Sequence, residues 1–328
     1  MTRPPLALTL GDPAGIGPEI VQGAWRALQS SGPAFAVIGD ADLLRDVPTA
    51  RITKLSEARA VFPTALPVLH DPVGAMVTPG RPEPSAAPAV IRWIECGAAL
   101  ALSGEAAAVV TGPIAKAPLY AAGFRFPGHT EFLGELTAAA PYPGERGPAM
   151  MLAAGDLRTV LVTIHEPLAR VPALLTTEMV VRTGRIAAQA LIRDFGIARP
   201  RLAIAGLNPH AGESGALGRE EIEIVAPAVT ALQAEGVDAK GPYPADTMFP
   251  AEVRATYDAA ICLYHDQALI PVKMLDFWGG VNVTLGLPIV RTSPDHGTGF
   301  DIAGQGLARP DSLIAAIHLA AEIAGRRG

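Results

Sequence analysis

The sequence contains little of what secreted, membrane-spanning or disulfide-stabilised proteins require. Only two of its 328 residues are cysteine, Cys96 and Cys262, and they do not have the paired spacing of a cysteine zinc site. A disulfide framework is therefore not expected, and a reducing compartment fits best. No stretch reaches the roughly 18 consecutive apolar residues that a membrane helix needs. The start, Met1–Pro5, lacks the layout of a secretory signal, so we predict a cytoplasmic location without a membrane partner.

The charge balance argues against a nucleic-acid partner. The chain carries 26 Lys and Arg against 32 Asp and Glu, a formal net charge of −6, and no block of basic residues stands out. Proteins that bind phosphate backbones need clustered cations, so no nucleic-acid partner is expected. Hydrophobic residues make up 49% and charged residues 18%, which is ordinary for a globular protein. The length permits one large α/β domain or two closely joined lobes.

Apolar runs of strand length alternate with helical patterns along the chain. Gly17-Pro18-Glu19 looks like a helix start, because Pro occupies the first helical position and an acid follows in the first turn. Alternation of this kind predicts a mostly parallel sheet with helices on both faces. The predicted strands are Leu6–Leu10, Phe35–Ile38, Ala107–Thr111, Met150–Ala153, Thr159–Ile164, Leu202–Ala205 and Ala260–Tyr264. The predicted helices include Glu178–Phe195 and Glu220–Ala234, whereas the Pro- and Gly-rich segment Val61–Pro88 is predicted to be irregular or to form short strands.

Three histidines lie just beyond predicted strands. His165 and His265 directly follow two of them, and His210 lies a few residues beyond a third. In open α/β sheets ligands bind at the carboxyl ends of strands, so these three imidazoles could meet at one edge of the sheet. Three neutral imidazoles with an open position can hold a catalytic divalent metal. Asp266 could then orient one imidazole, because ligating histidines usually donate their other N–H to an acceptor.

The histidine pattern also has a plainer interpretation. A histidine at a strand end is commonly a hydrogen-bonded loop residue that binds no ligand. The spacings of 45 and 55 residues, from 165 to 210 and from 210 to 265, match no compact zinc signature. From the residues alone, both interpretations stay open.

Two segments have residues that suit an anion. Gly128–Glu131 looks like the start of a helix, with Thr130 as a candidate cap, and free N–H groups there would favour an anion; a plain capped helix start is the alternative. Lys273, Asn282 and Arg291 are spaced by nine residues each. Two cations and an amide suit a phosphate or a carboxylate, although solvated surface charges are the commoner fate of Lys and Arg.

Loops that follow strands supply further candidates. Gly11–Glu19 lies between a strand and a helix, yet it is neither a Walker loop nor a Rossmann fingerprint. It is interpreted first as a tight turn and second as a ligand loop. Lys116, after the strand that ends at Thr111, could point into the same crevice or lie exposed. Asp246 could be a proton acceptor or a helix cap.

Taken together, six of these stretches resemble the 4-hydroxythreonine-4-phosphate dehydrogenase family. Each motif is modest alone, but the six occur in the family's order and the resemblance covers nearly the whole chain. The stretches are Gly11–Glu19, Thr111–Lys116, Gly128–Glu131, Gly206–Glu213, Tyr264–Gln267 and Gly280–Arg291.

The resemblance implies a metal site, a substrate site and a dimer. It makes His165, His210 and His265 the ligands of one divalent cation per subunit, zinc, magnesium or cobalt. That site would lie at a homodimer interface and draw ligands from both subunits, so the active site would be shared. The substrate-binding positions implied are His129, Thr130, Lys273, Asn282 and Arg291.

A more distant resemblance concerns the nucleotide. Asp295–Gly304 is similar to the nucleotide-binding loop of isocitrate and isopropylmalate dehydrogenases, which bind NAD or NADP without a Rossmann fingerprint. It departs from them at Gly299-Phe300, where those enzymes usually carry Ala-Pro, so the choice between NAD and NADP stays open. The cofactor-binding residues implied are His296, Gly297, Thr298 and Asp301.

The two resemblances together imply a fold and a division of the chain. The fold would be a three-layer α/β/α arrangement like that of isocitrate and isopropylmalate dehydrogenases, with two lobes and the active site in the cleft between them. Residues 1–134 and 275–328 would form the lobe with the nucleotide loop, and residues 135–274 the lobe with the metal-binding histidines.

The expected reaction is an NAD(P)-dependent oxidation of 4-phosphooxy-L-threonine followed by decarboxylation to 3-amino-2-oxopropyl phosphate, in vitamin B6 biosynthesis. Lys273 and Asp246 are the candidates for proton handling. One alternative is a paralogous dehydrogenase of D-erythronate or D-threonate 4-phosphate. Another is a metallohydrolase that uses the three histidines to activate water. A third is an anion-binding protein without turnover.

Overall fold

The computed structural model describes residues 3–327 as alternating strands and helices. The strands are β1 Leu6–Thr9, β2 Phe35–Gly39, β3 Thr49–Ile52, β4 Leu66–His70, β5 Val109–Thr111, β6 Ala149–Ala154, β7 Leu157–Leu161, β8 Arg201–Ala205, β9 Asp238–Tyr243, β10 Ala259–Cys262, β11 Val281–Leu285 and β12 Arg291–Pro294. The α-helices are α1 Gly17–Leu28, α2 Ala58–Val61, α3 Ala87–Leu102, α4 Lys116–Ala121, α5 His129–Leu136, α6 Val171–Leu174, α7 Thr177–Arg193, α8 Ala226–Ala234, α9 Ala251–Arg254, α10 His265–Leu275 and α11 Asp311–Arg327. The chain divides into two compact units, the first of residues 3–141 and 287–326 and the second of residues 142–286.

The first unit is built on a parallel sheet. Its strands are arranged in the order β3-β4-β2-β1-β5-β12, and each neighbouring pair runs parallel. The two central strands, β1 and β2, are buried along their whole length, as expected of strands covered on both faces. Parallel pairing brings the carboxyl ends of β1, β5 and β12 to one edge, where the loops with candidate residues begin.

Helix α1 shows why the sequence of the first unit folds as it does. Pro18 is placed at the start of the helix and Glu19 in its first turn, as predicted. Ile20, Ala24 and Leu28 recur at helical spacing and are all buried. This face joins the core of the first unit.

The second unit has a mixed sheet. Its strands are arranged in the order β11-β6-β7-β10-β8-β9, with antiparallel pairing between β11, β6 and β7 and parallel pairing between β7, β10, β8 and β9. The core includes Leu157, Ala203 and Cys262. Both cysteines are free, as predicted, and burial raises the pKa of the Cys262 thiol, which makes it an inert core residue.

Several predicted boundaries are wrong in detail. The strand predicted as Thr159–Ile164 ends at Leu161, and the one predicted as Ala260–Tyr264 ends at Cys262. Apolar character continues past these ends because Ile164 and Leu263 stay packed in the core after the ladder stops. The helix predicted as Glu220–Ala234 begins as a π-helical turn, Glu221–Val225, before α8. In Val61–Pro88, predicted to be irregular or to form short strands, β4 is such a short strand and is paired on both sides.

One helix passes a length-and-composition test for crossing a membrane. It spans Pro84–Leu102, and 44% of its most apolar window is buried inside the protein. The same test is passed by core helices, and α3 carries buried Trp93 and Ile94 together with the charged Arg92 and Glu95. The burial of Trp93 and Ile94 identifies α3 as a helix that covers the sheet of the first unit.

Candidate active site

Two of the three predicted metal ligands lie side by side in the second unit. β7 and β10 are parallel neighbours, and their pairing continues past the strand ends because the Thr163 side chain donates to the Leu263 carbonyl at 2.7 Å. The loops therefore leave the sheet together, and the rings of His165 and His265 lie with their centroids 5.7 Å apart. His265 is the first residue of α10 and not part of a loop.

The paired imidazoles open into a cavity of about 610 Å³. Its lining includes both histidines, Tyr264 and Asp266 as polar groups, and Val171 among its apolar ones. The Nδ1 of His265 lies 2.7 Å from an Asp266 carboxylate oxygen, which is the contact that the sequence suggested. A carboxylate on Nδ1 fixes the ring so that Nε2 is the nitrogen available to a ligand, which is the arrangement that metal-binding histidines use.

His210 is carried by a segment of unusual backbone geometry. Between β8 and the π-helical turn, five successive residues from 210 to 214 have positive φ and left-handed ψ, including His210 at φ 53°. Non-glycine residues avoid this region at a cost of roughly 1–2 kcal/mol each, so such a run persists only where its surroundings impose it. The His210 imidazole is exposed and lies 3.1 Å from the Glu213 carboxylate.

The three histidines do not come to ligand spacing within one chain. In residues 3–327, His, Cys, Asp or Glu ligand atoms from three residues lie within 4.8 Å of one another at a single place, formed by Asp40, Asp42 and His70. The imidazoles of His165 and His265 are adjacent, and Asp266 orients that of His265, so this pair of donors nevertheless suits a divalent metal such as zinc or cobalt. The assignment of His210 to the same metal stays a prediction.

The cluster of Asp40, Asp42 and His70 has a structural explanation of its own. Asp40 accepts the backbone N–H groups of Asp42 and Val73, each at 3.0 Å, and so stabilises the turn after β2. His70 accepts the Ala41 N–H at 3.1 Å through Nδ1, which requires that nitrogen to be unprotonated. Register could have revealed this cluster in the sequence, because residue 70 ends β4 opposite Gly39 at the end of β2.

In the first unit, Arg291 is a buried cation. It is the first residue of β12, it is 3% exposed, and it donates to the hydroxyl of Thr111 at 2.7 Å. Burial lowers the pKa of Arg291 to about 10, and the charge of Glu131 opposes that shift. The guanidinium is therefore still protonated at neutral pH. A protonated guanidinium with little water around it is a strong site for an anion.

His129 lies beside this cation and stays neutral. Burial lowers the pKa of its imidazole well below 6.5, and the positive charge of Arg291 lowers it further. Its Nε2 atom is buried and has no hydrogen-bond partner among the described residues. A buried imidazole nitrogen without a partner marks a position where a ligand group would make the missing hydrogen bond.

We expect the neutral state of His129 to appear in the pH dependence of stability. Below pH 6.5 the unfolded chain binds a proton that the folded imidazole resists, so the free energy of unfolding should fall by roughly 1 kcal/mol per pH unit. Substitution His129→Asn should flatten this slope between pH 6.5 and 5.5 in denaturant titrations. His318→Asn, at an exposed position on α11, is the matched control and should leave the slope unchanged. Equal slopes for wild type and H129N would contradict this account.

The helix start at Gly128 is confirmed, but the prediction that Thr130 caps the helix is wrong. Gly128 is the N-cap of α5, with extended backbone and no side-chain cap. Thr130 is the second residue of the helix and is buried, so its hydroxyl is not placed as a cap. The start of α5 therefore keeps its first N–H groups uncapped by a side chain, beside His129.

The remaining predicted substrate and base residues all lie in the second unit. Asn282, in β11, has a buried amide oxygen without a hydrogen-bond partner among the described residues. Lys273 lies on α10 with its ammonium 5.4 Å from the centre of the Phe277 ring. Asp246 is exposed in the turn Ala245–Thr247, which contacts the left-handed segment that carries His210.

The predicted nucleotide-binding residues form a loop after β12. His296 contacts the Gly297 carbonyl through Nδ1 at 3.0 Å, while its Nε2 is buried without a hydrogen-bond partner in the part of the chain that the structure describes. Thr298 accepts the Ile16 N–H at 2.9 Å through its carbonyl. Asp301 is exposed.

The glycine-rich turn after β1 packs against this loop. A Cβ on Gly15 would lie 2.7 Å from the Thr298 carbonyl oxygen, so only glycine permits the contact. Gly11, at φ +80°, would place a Cβ 2.5 Å from the Pro113 carbonyl oxygen. The glycines therefore have a packing reason, and they bring Gly11–Glu19 beside the predicted nucleotide residues. Lys116 is exposed at the start of α4.

Three buried polar residues near these sites were missed by the sequence analysis. Burial raises the pKa of Asp12, although the N–H groups of Ala14 and Ala115 oppose that shift. Glu221 and Gln267 are buried and bind backbone at the ends of β8 and β10. Asp12 lies within the Gly11–Glu19 motif, which could have drawn attention to it. Glu221 lies at the start of what looks like an ordinary amphipathic helix in the sequence, and that pattern does not indicate a buried carboxylate.

The fold and these sites define an α/β protein of the isocitrate dehydrogenase-like kind, as predicted. Isocitrate dehydrogenase from Methylococcus capsulatus aligns with a TM-score of 0.51 at 14% identity, covering 99% of this chain and 86% of that one, a likeness of fold alone. The model of the family described as pyridoxal phosphate biosynthetic protein PdxA matches residues 32–320, and the chain belongs to that family. The family predicted from the six motifs is thereby confirmed.

Relatives and solved structures agree on the class of enzyme. The chain is 68% identical to a 4-hydroxythreonine-4-phosphate dehydrogenase of Caulobacter vibrioides, over 100% of both chains. The crystal structure of a 4-hydroxythreonine-4-phosphate dehydrogenase from Klebsiella pneumoniae superposes with a TM-score of 0.86 at 39% identity, covering 98% of each chain. The family is one of dehydrogenases in pyridoxine biosynthesis.

Proposed function

We propose that this protein oxidises 4-phosphooxy-L-threonine with NAD or NADP and then releases carbon dioxide, which gives 3-amino-2-oxopropyl phosphate for pyridoxal 5'-phosphate biosynthesis in the cytoplasm. The 68% identity to a relative named 4-hydroxythreonine-4-phosphate dehydrogenase supports this choice of substrate. The structural observation that carries the proposal is the buried, protonated Arg291 beside a neutral His129.

Arg291, His129 and Thr130 would bind one anionic end of the substrate. The guanidinium supplies charge-assisted hydrogen bonds, and the first N–H groups of α5 add backbone donors beside it. Asn282 would use its buried amide oxygen as an acceptor for the substrate's ammonium or hydroxyl, and Lys273 would pair with the second anionic group. These contacts fix the orientation of the substrate before chemistry begins.

The reaction requires one proton acceptor and one hydride acceptor. Lys273 or Asp246 would take the proton of the substrate hydroxyl while its carbon gives a hydride to the nicotinamide. The product is a β-keto acid. Its carboxylate is lost as carbon dioxide, the bonding electrons stay on the carbon next to the new carbonyl, and that carbon then takes up a proton to give 3-amino-2-oxopropyl phosphate. Either base must be within hydrogen-bond reach of the hydroxyl.

Two groups would be bound by residues already described. His165, His210 and His265 would hold one divalent cation, zinc, magnesium or cobalt, which supplies Lewis-acid polarisation of a substrate oxygen. His296, Gly297, Thr298 and Asp301 would hold NAD or NADP. The buried Nε2 of His296, which has no hydrogen-bond partner among the described residues, fits a polar ligand of that kind.

The test is a substrate screen. Purified protein is assayed with 4-phosphooxy-L-threonine, D-erythronate 4-phosphate and D-threonate 4-phosphate, each with NAD and with NADP, and with added Zn²⁺, Mg²⁺ or Co²⁺. We expect reduced nicotinamide to appear fastest with 4-phosphooxy-L-threonine. A higher kcat/KM for either sugar-acid phosphate would favour the paralogous dehydrogenase. If no reduced nicotinamide appeared with any of the three substrates, the result would contradict a dehydrogenase.

The same screen separates the other two alternatives. A metallohydrolase would release inorganic phosphate or another hydrolysis product without nicotinamide. An anion-binding protein would bind phosphate esters in calorimetry and convert none of them. Membership of a family of dehydrogenases favours the dehydrogenase over both alternatives.

We also propose that the protein is a homodimer with an active site shared between subunits, and that residues 1–134 with 275–328 and residues 135–274 act as its two lobes. Support for a dimer comes from an apolar surface on α10 and the turn after it. Ile270, Met274, Phe277 and Trp278 are each at least half exposed. Asp276 accepts the Trp278 and Gly279 N–H groups, so this surface, here called the α10 patch, is held in place.

Substitution Met274→Glu should shift the protein toward monomers. A charge in the centre of an apolar interface cannot be solvated, so we expect the mass in light scattering to fall from about twice 33.9 kDa toward 33.9 kDa. Met76→Glu is the matched control, because Met76 is 86% exposed and Met274 is 81% exposed, and Met76 lies outside the patch. A wild-type protein that is monomeric, or a dimeric M274E, would contradict an interface at the α10 patch.

A further inference from the structure

The left-handed segment that carries His210 is bound by one buried carboxylate. Glu221 is 3% exposed, and one of its oxygens accepts the backbone N–H groups of Leu207 and Asn208, each at 2.7 Å. Its other oxygen accepts the Asn208 side-chain amide at 3.0 Å. Three donors from one loop therefore converge on a single side chain, in the stretch that leads directly into His210.

The fit of Glu221 to the segment is tight on the opposite side as well. A Cβ on Gly212 would lie 2.6 Å from a Glu221 carboxylate oxygen, and one on Gly206 would lie 3.2 Å from the other oxygen. Gly212 leaves room that a larger residue would fill, and Gly206 is in close contact with the carboxylate. The backbone of the segment and the carboxylate are thus complementary along residues 206–212.

A second buried side chain ties the same loop to the paired histidines. Gln267 donates to the Gly206 carbonyl at 2.7 Å and accepts the Leu263 N–H at 2.6 Å. It therefore joins the end of β8, from which His210 follows, to the end of β10, from which His265 follows. The loop is anchored at its base by Gln267 and along its length by Glu221.

We infer that Glu221 is a positioning residue that imposes the left-handed conformation of residues 210–214 and so presents the His210 imidazole for metal binding. The left-handed run is unfavourable for His210, Ala211, Glu213 and Ser214, and hydrogen bonds to a charged acceptor are the strongest that the surroundings offer. The π-helical turn that begins at Glu221 places this carboxylate under the loop. The role in metal binding rests on the proposed function; the role in loop conformation does not.

The test compares Glu221→Gln with Glu223→Gln. Both remove one negative charge from the same π-helical turn, but Glu223 is an exposed residue paired with Arg219. In Glu221→Gln the new amide N–H group faces the Asn208 amide, so one hydrogen bond becomes a contact between two donors. We expect amide hydrogen exchange in residues 207–216 of the metal-free protein to accelerate at least tenfold in E221Q and to stay unchanged in E223Q, while the exchange of β8 and β10 stays as in the wild type.

A second pair of variants disturbs the same contact from the other side. Gly212→Ala and Gly236→Ala both place a side chain at strongly positive φ, +79° and +84°, but only the first meets Glu221, whereas the second meets nothing within 4 Å. We expect G212A to reproduce the exchange of E221Q and G236A to resemble the wild type. This pair keeps the inference testable if E221Q folds poorly.

Metal affinity provides the second measurement, with Co²⁺ alone as the probe. We expect the Co²⁺ dissociation constant of E221Q to rise roughly 10- to 100-fold and that of E223Q to change less than twofold, because residues that orient a ligand have effects of that size. Unchanged exchange and unchanged Co²⁺ affinity in both E221Q and G212A would overturn the inference. If the wild type binds no Co²⁺, the metal site of the proposed function fails, and the exchange measurement still decides whether Glu221 holds the loop.

Discussion

Substitution Arg291→Gln should lower kcat/KM for the phosphorylated substrate by roughly a factor of 10² to 10⁴. Arg291 is buried and protonated, and its planar guanidinium can donate two parallel hydrogen bonds to an anionic group. Each charge-assisted bond contributes about 1.5–3 kcal/mol, and two of them account for the expected factor. Steady-state kinetics with varied substrate would measure it.

Two companions make the Arg291 result specific. Arg291→Lys keeps the charge but loses the fork, so we expect kcat/KM between those of the wild type and R291Q. Arg326→Gln removes an arginine from an exposed ion pair with Glu322 and should leave kcat/KM within twofold. Inorganic phosphate should also compete with the phosphorylated substrate in the wild type, whereas it should hardly inhibit R291Q. An R291Q enzyme with wild-type kcat/KM would remove Arg291 from the substrate site.

The buried strands were predictable because their signal is local. Runs such as β1 and β2 are apolar at every position, and that pattern is typical of central parallel strands. β9, with the sequence Asp-Ala-Lys-Gly-Pro-Tyr, carries no such signal because it pairs on one side only, with β8, and only one of its six residues is fully buried. Sequence reasoning therefore missed short strands such as β9, which form because a neighbouring strand pairs with them.

The candidate site was predictable where residue type and strand position coincide. His165 and His265 could be paired from the sequence because parallel neighbours end at the same edge, and the structure places their rings together. The conformation of the His210 segment could not be predicted. Five successive left-handed residues, four of them not glycine, run against the intrinsic preference of those residues, and a carboxylate 11 positions beyond His210 holds the loop that carries them.

The burial of Arg291 and His129 was similarly out of reach. An arginine and a histidine suggested an anion site, but the sequence does not distinguish buried copies of these residues from exposed ones. Only the fold places the guanidinium inside the first unit, where its pKa falls to about 10 and the pKa of the imidazole falls with it. The charged state of Arg291 and the lowered pKa of His129 are thus properties of packing.

Removal of divalent cations should reduce kcat on the order of a thousandfold or more, and addition of Zn²⁺, Mg²⁺ or Co²⁺ should restore it. The reason is that a divalent cation would polarise the substrate oxygen as a Lewis acid, and no side chain of the chain supplies that chemistry in its place. Substitution His265→Asn should lower kcat by a similar factor and weaken Co²⁺ binding in titrations of the protein alone. Full activity in protein shown to be metal-free would refute a catalytic cation.

The chain offers a matched control for the location of that cation. Asp40, Asp42 and His70 are the one group in residues 3–327 whose ligand atoms already lie at ion spacing, so they compete with the histidine pair as the binding place. His70→Asn keeps an acceptor for the Ala41 N–H and removes the imidazole. Because Asp40 and His70 are already engaged by backbone N–H groups, we expect H70N to bind Co²⁺ like the wild type while H265N does not. The reverse result would move the cation to the turn after β2 and leave His165 and His265 without a metal.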